Sequence, residues 1–162
     1  MVILGIDPGF AIIGYGVIDK GREIKVIDYG VITTPKEDSI AKRLETSYNA
    51  IVALIDKFKP DAIAIEELFY FKNQTTIINV AQARGIIVLA CSQSKTPIYE
   101  YTPLQIKQAL TGNGRAEKKQ IQYMVTNILG LSSIPKPDDA ADALAIAITH
   151  SQTNNMLVNN KM

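Results

Sequence analysis

Val2-Ile3-Leu4-Gly5-Ile6-Asp7-Pro8-Gly9 decides how the rest of the chain is read. An apolar run of this kind is a strand buried on both faces, and Asp-Pro-Gly then turns the chain sharply, which leaves a carboxylate at the rim of a sheet. A charge held there needs a partner. The plain alternative is that Asp7 only starts the turn by hydrogen-bonding nearby backbone. Two later stretches weigh against it.

Beyond the turn, Ala11 to Ile18 carries Ile12, Ile13, Tyr15 and Val17, and a turn at Asp19-Lys20-Gly21 leads to a second mixed apolar run, Ile24 to Thr33. Short strands joined by tight glycine-containing connections predict a three-strand antiparallel meander. From Ser39 to Phe58 the period changes: Ile40, Leu44, Tyr48, Ile51, Leu54, Ile55 and Phe58 recur at helical spacing, and Lys57, Lys59 and Pro60 close the segment. Asp61-Ala62-Ile63-Ala64-Ile65-Glu66-Glu67 is again an apolar strand ending in carboxylate. A strand reached through a helical crossover lies parallel to its partner, so if that partner is Val2 to Asp7, Glu66 and Asp7 meet at one edge.

The remaining elements are an aromatic loop at Leu68-Phe69-Tyr70-Phe71-Lys72-Asn73 and a helix from about Thr75 to Ser92. A short strand, Pro97 to Tyr101, and a short helix opened by Thr102-Pro103 and running through Leu110 follow. After Gly112-Asn113-Gly114-Arg115 comes a helix from Ala116 to Leu129 with Lys118 and Lys119 in its first turn. Basic residues there oppose the helix dipole, which suggests another reason for their placement. The last helix runs from Asp138 to about His150, and His150, the only histidine, reads as a helix-end residue favoured by the dipole.

At 162 residues the chain is long enough for one domain with a sizeable core, read as 1–152, with a disordered tail at 153–162. Net charge is only +1, from 17 basic and 16 acidic residues, so any basic surface for nucleic acid must be local. The lone Cys91 sits in an apolar helical pattern and reads as a small buried hydrophobe. No apolar run approaches membrane-spanning length and no charged leader opens the sequence, which predicts a cytoplasmic protein with no membrane partner.

In Asp138-Asp139-Ala140-Ala141-Asp142-Ala143, Asp139 and Asp142 are three apart and project from one helical face, flanked by alanines that let the helix approach a sheet closely. Dipole compensation accounts for Asp138 and Asp139, but less well for Asp142, which is followed by apolar residues. Burying a carboxylate without a partner costs several kcal/mol or neutralises it. Asp7, Glu66, Asp139 and Asp142 are hard oxygen donors without histidine or cysteine nearby, a donor set for Mg²⁺ or Mn²⁺ rather than zinc. Two such ions a few ångströms apart serve in-line displacement at a phosphodiester, one activating water and one stabilising the leaving oxygen.

Gly5-Ile6-Asp7-Pro8-Gly9, Ala64-Ile65-Glu66, Gln82-Ala83-Arg84-Gly85 and Asp139-Ala140-Ala141-Asp142-Ala143-Leu144-Ala145-Ile146-Ala147 together resemble the motifs, in order, of the RuvC-type Holliday-junction resolvases. The resemblance runs from residue 1 to about 150. It implies a ribonuclease-H-like α/β fold: a mixed five-stranded sheet of the meander plus two parallel strands, flanked by helices. It implies that Asp7, Glu66, Asp139 and Asp142 are catalytic and hold two Mg²⁺ per active site, with Mn²⁺ a possible substitute. It further implies a homodimer that resolves four-way DNA junctions by paired symmetric nicks in recombination and repair, alongside a branch-migration motor. Phe69 matches an aromatic that stacks on a base near the crossover, with Lys72 beside it; otherwise Phe69-Tyr70-Phe71 would read as a hydrophobic seal. Lys107 and Lys118 match positions that hold DNA phosphates, and Arg115 and Lys119 extend them into a local basic cluster. Otherwise these lysines would read as solvated helix faces.

Three other readings stand beside this one. Asp7-Pro8-Gly9 to Gly14-Tyr15-Gly16 could be the phosphate hairpin of an actin-like or sugar-kinase-like ATPase, but those proteins need a second such subdomain. A ribonuclease-H-like nuclease acting on RNA or an RNA–DNA hybrid would use the same metals. A noncatalytic junction-binding module would have no reason to gather four like charges.

Overall fold

The computed structural model describes residues 1–68, 74–153 and 161–162. Strands β1 (Val2–Asp7), β2 (Ile12–Lys20) and β3 (Ile24–Thr33) form the antiparallel meander, with a register shift between Val17 and Ile18. Helix α1 (Ile40–Phe58) crosses over to β4 (Ala62–Glu66), parallel to β1, and α2 (Gln74–Gln93) crosses to β5 (Ile98–Tyr101), parallel to β4. The sheet order is β3-β2-β1-β4-β5, which puts β1 at the centre. Helices α3 (Pro103–Thr111), α4 (Lys118–Ile128) and α5 (Asp138–Gln152) complete the chain.

The helix ends follow local chemistry. Ser39 caps α1 by accepting from the Lys42 backbone N–H, and Lys59 closes it in the left-handed conformation at φ 46°. Thr102 and Gln105 cap α3 reciprocally, with Pro103 in the first turn where its missing N–H costs nothing.

Alternation along the strands divides the core. Leu4, Ile6, Ile13, Val17, Ile63 and Ile65 face α1 and α2, where Ile51, Ile55, Ile87 and Cys91 cover them. Burial pushes the Cys91 thiol up to about 12, so it remains a neutral packing group. Ile3, Ile18, Ala64 and Tyr101 face the other way, onto α5, with α3 and α4 behind it. Asp7 and Glu66, two positions on from Gly5 and Ala64, share this second face.

Helix α5 lies against the sheet because the sheet is smooth there. A Cβ at Gly5 would come within 2.2 Å of the Ala143 carbonyl oxygen, one at Gly14 within 2.0 Å of the Asp139 carbonyl oxygen, and one at Gly16 within 2.8 Å of Leu144. Ala140, Ala141, Ala143, Ala145 and Ala147 are buried in return. Small residues on both partners bring the backbones together.

His150 differs from its sequence reading. It is buried, its Nδ1 is 2.7 Å from the Tyr101 hydroxyl, and its ring packs on Tyr99. Burial, then Lys20, lower its pKa to about 4, so it is a neutral core residue rather than a cation answering the helix dipole. Beyond α5, among the described residues, Lys161 pairs antiparallel with Tyr99, and the Met162 N–H donates to the Ile98 carbonyl at 3.0 Å. Among the described residues no helix is long and apolar enough to cross a membrane.

Candidate active site

Three elements deliver the four carboxylates. Ile6 pairs with Ile65 in the parallel ladder, so Asp7 and Glu66 follow side by side at the carboxyl ends of the two central strands. Asp7 is also the cross-strand partner of Gly14, the residue on which the Asp139 backbone rests. The start of α5 is therefore pressed against the strand end that carries Asp7, and Asp142 follows one turn on.

The carboxylates of these elements act on one another electrostatically. Burial, reinforced by Glu66, Asp142 and Asp139 in that order, pushes the Asp7 carboxyl up to about 8, and Lys118 only partly offsets it. Glu66 rises to about 7 through burial and then Asp142, opposed by Lys107 and Lys118. Asp142 is raised by burial, against the pull of Lys118. Like charges near one another in a half-dry site are costly, and a bound cation removes that cost.

One cation already stands there. Lys118 Nζ lies 2.9 Å from Asp142 Oδ2 and 3.4 Å from Asp138 Oδ2. Burial works against its charge, but Asp142 and then Asp138 outweigh it and hold the pKa above the ordinary lysine value. This contact supplies the reason for a lysine in a helical first turn. Glu66 and Asp142, but not Asp7 or Asp139, line a cleft of about 240 Å³, together with Lys107, Lys118, Ile106 and Ile121.

Among the described residues no three acidic, histidine or cysteine side chains are grouped closely enough to hold a metal ion as they stand. The donor set nonetheless fits a hard divalent cation: the donors are carboxylates only, Asp7 and Glu66 are destabilised as anions, and an ammonium occupies the cationic position at Asp142.

The expected DNA-contacting residues are divided by the fold. Lys107 and Lys118 line the cleft. Arg115 is exposed on the α3–α4 connection, and Lys119 turns to a separate groove on α3 and α4 beside Tyr123 and Met124. Phe69 and Lys72 lie outside the described residues.

Sequence reasoning missed three contributors. Gly14 is one, since nothing local marks which helix will rest on it. Asp138 is another: its Oδ1 accepts at 3.1 Å from Gln122 Nε2, so it does more than answer the dipole. The third is the ion pair of Arg84 with Glu100, which ties α2 to β5 next to the strand position that follows Ile65.

Comparison with known proteins identifies the family. Residues 3–150 match the family model described as crossover junction endodeoxyribonuclease RuvC. The chain belongs to this family. A relative of that name from Clostridioides difficile (strain 630) is 53% identical over 157 residues, covering 96% of this chain and 93% of its own. One from Fusobacterium nucleatum is 58% identical over 151 residues, covering 93% and 80%. Among solved structures, Thermus thermophilus RuvC superposes with a TM-score of 0.90 at 34% identity over 100% of both chains. The same protein in complex with a Holliday junction substrate gives 0.89 at 32% identity, over 100% of this chain and 99% of that one. The yeast mitochondrial resolvase Ydc2, at 15% identity and a TM-score of 0.71, shares the fold. The ribonuclease-H-like mixed sheet flanked by helices is thus the family fold.

Proposed function

We infer that the chain is an endonuclease that resolves four-way DNA junctions by hydrolysing phosphodiesters, as a member of the crossover junction endodeoxyribonuclease family. The observation that carries this reading at the level of residues is that Asp7 and Glu66 end adjacent parallel strands on the face against which α5, with Asp139 and Asp142, is packed, beside a cleft that Lys107 and Lys118 line. The junction-bound relative supports carrying the substrate over to this chain.

In this reading Asp7, Glu66, Asp139 and Asp142 would hold two divalent cations, Mg²⁺ with Mn²⁺ as substitute, Asp7 being the residue on which the charges of the other three act. Bound there, the cations would lower the pKa of the attacking water and stabilise the leaving oxygen. Lys107, on the cleft wall near Glu66, holds a phosphate oxygen of the cut strand. Lys118 joins it once its carboxylate partner is engaged elsewhere. Phe69 stacks on a base near the crossover and Lys72, Arg115 and Lys119 meet phosphates farther along the arms. Phe69→Ala cutting intact junctions at the parental rate would remove that stacking assignment.

A homodimer fits a two-fold substrate, since two active sites related by a dyad cut opposed strands symmetrically. Helix α2 supports it: Ile78 and Leu89, about three turns apart and so near one face of the helix, are 62% and 48% exposed. We extend the reading to a cytoplasmic enzyme of recombination and repair that works with a branch-migration motor.

The test is substrate choice. Labelled four-way junction, matching linear duplex and RNA–DNA hybrid are each incubated with the protein and Mg²⁺. Cutting confined to the junction is the expected result, and hybrid cleavage or tight junction binding without cutting overturns it.

A further inference from the structure

Two carboxylates of α5 share one ammonium, and only one of them faces the cleft. Lys118 Nζ is 2.9 Å from Asp142 Oδ2 and 3.4 Å from Asp138 Oδ2. Asp142 lines the cleft and is 32% exposed, whereas Asp138 is 60% exposed and does not line it. Asp138 is held from behind, because Gln122, 9% exposed, donates from Nε2 to its Oδ1 at 3.1 Å. Asp138 and Asp142 are four apart on α5, and Lys118 and Gln122 are four apart on α4, so each pair shares one helical face. The two helices meet through a chain of contacts, Gln122 to Asp138 to Lys118 to Asp142.

We propose that Asp138 is a positioning residue that retains the Lys118 ammonium beside the cleft when a divalent cation takes Asp142 from it. The inference rests on the reading of Asp142 as a metal-holding residue. A divalent cation at Asp142 competes with Lys118 for the same oxygen and repels the ammonium. Were Asp142 the only partner, Lys118 could either keep that oxygen from the cation or swing into water on its long stem. Asp138 supplies a second anion within one side-chain movement, and Gln122 fixes the carboxylate so that one oxygen stays turned toward Lys118. The ammonium thereby gives way to the metal yet remains next to Lys107, where a phosphate of the cut strand would lie.

Binding of Mn²⁺ alone to the full chain, followed by the electron paramagnetic resonance signal of the free ion, tests this without any cutting. Lys118→Met removes the competitor and tightens Mn²⁺ binding, by roughly two- to fivefold for ion pairs this exposed. Asp138→Asn leaves Lys118 with Asp142 alone and weakens binding by a similar factor, whereas Asp138→Glu, which keeps the anion, restores it. The deciding comparison is Asp138→Asn in the Lys118→Met background, where its effect should largely vanish. The same weakening with and without Lys118 would overturn the proposal, since that is what mere loss of negative charge near the cations produces. Tighter or unchanged binding in the Asp138→Asn variant would overturn it as well. Failure of the parental chain to bind Mn²⁺ would instead overturn the metal-holding reading beneath it.

Discussion

Asp7 is paired across the β1–β2 ladder with Gly14, and the place where a Gly14 side chain would stand is taken by the Asp139 backbone, 2.0 Å from an ideal Cβ. One ladder position thus joins a strand-borne carboxylate to the helix that carries two more. The separation of the acidic groups is set by glycine at position 14 as much as by the acids themselves.

Gly14→Ala should therefore damage cutting without touching any carboxylate. The added methyl pushes the start of α5 outward, and overpacking of this kind costs roughly 1–3 kcal/mol. The expected outcome is a fold that persists with a lowered melting temperature and a junction-cutting rate reduced by about tenfold or more, since small misplacements are expensive in positioned sites. Parental rates would show that α5 is not set by this contact.

Metal-free stability should depend on Asp7 in a particular direction. Its folded pKa, about 8, lies above the ordinary value of 3.8, so between those limits the folded chain binds more protons than the unfolded one. The contribution of Asp7 to stability accordingly falls as pH rises through that window, and Glu66 adds the same sign up to about 7. In chelator at about pH 9, Asp7→Asn should melt higher than the parent, by the equivalent of a few kcal/mol, and the gap should close toward pH 4. Mg²⁺ should raise the parental melting temperature at high pH and that of the variant much less.

His150 should act in the opposite sense. Its folded pKa of about 4 lies below the ordinary 6.5, so the stability from its neutral form is present above 6.5 and is lost as pH falls toward 4. Replacing it in His150→Phe should flatten this acid limb while lowering stability at neutral pH, because the Tyr101 hydroxyl loses a partner 2.7 Å away. Thermal melts of both proteins between those pH values check it. An unchanged acid limb would mean that His150 is not the group responsible.

Lys107 and Lys119 should separate cleanly. Lys107→Ala, in the cleft, should slow cutting at saturating junction by about tenfold and reduce the salt slope of binding by about one. Lys119→Ala, on the other groove, should change binding and its salt slope while leaving the saturated rate near the parental value. Equal effects on the saturated rate would contradict the division.

Much of this was legible in the residues. The two apolar strands ending in Asp7 and Glu66 and the Asp-x-x-Asp spacing of α5 report their own periodicity, and a crossover helix between the strands fixes their direction. Lys118 was legible as an oddity, a base in a helical first turn, and through the family resemblance as a phosphate-holding position, but not as the partner of Asp138 and Asp142, which lie 20 and 24 residues away on another helix. Gly14 and His150 were not legible. The use of a missing side chain depends on what packs over it, and the charge of a histidine depends on burial against Tyr99 and Tyr101, which no local spacing encodes.

The most direct measurement is cutting of a four-way junction labelled on each strand in turn, by the parent and by Asp7→Asn, with Mg²⁺ and with chelator. Paired symmetric nicks by the parent only with Mg²⁺, and a folded Asp7→Asn protein that binds the junction but leaves it whole, are the expected result. Normal cutting by Asp7→Asn, or cutting by the parent in chelator, would contradict the assignment of the carboxylate face as the metal-dependent active site.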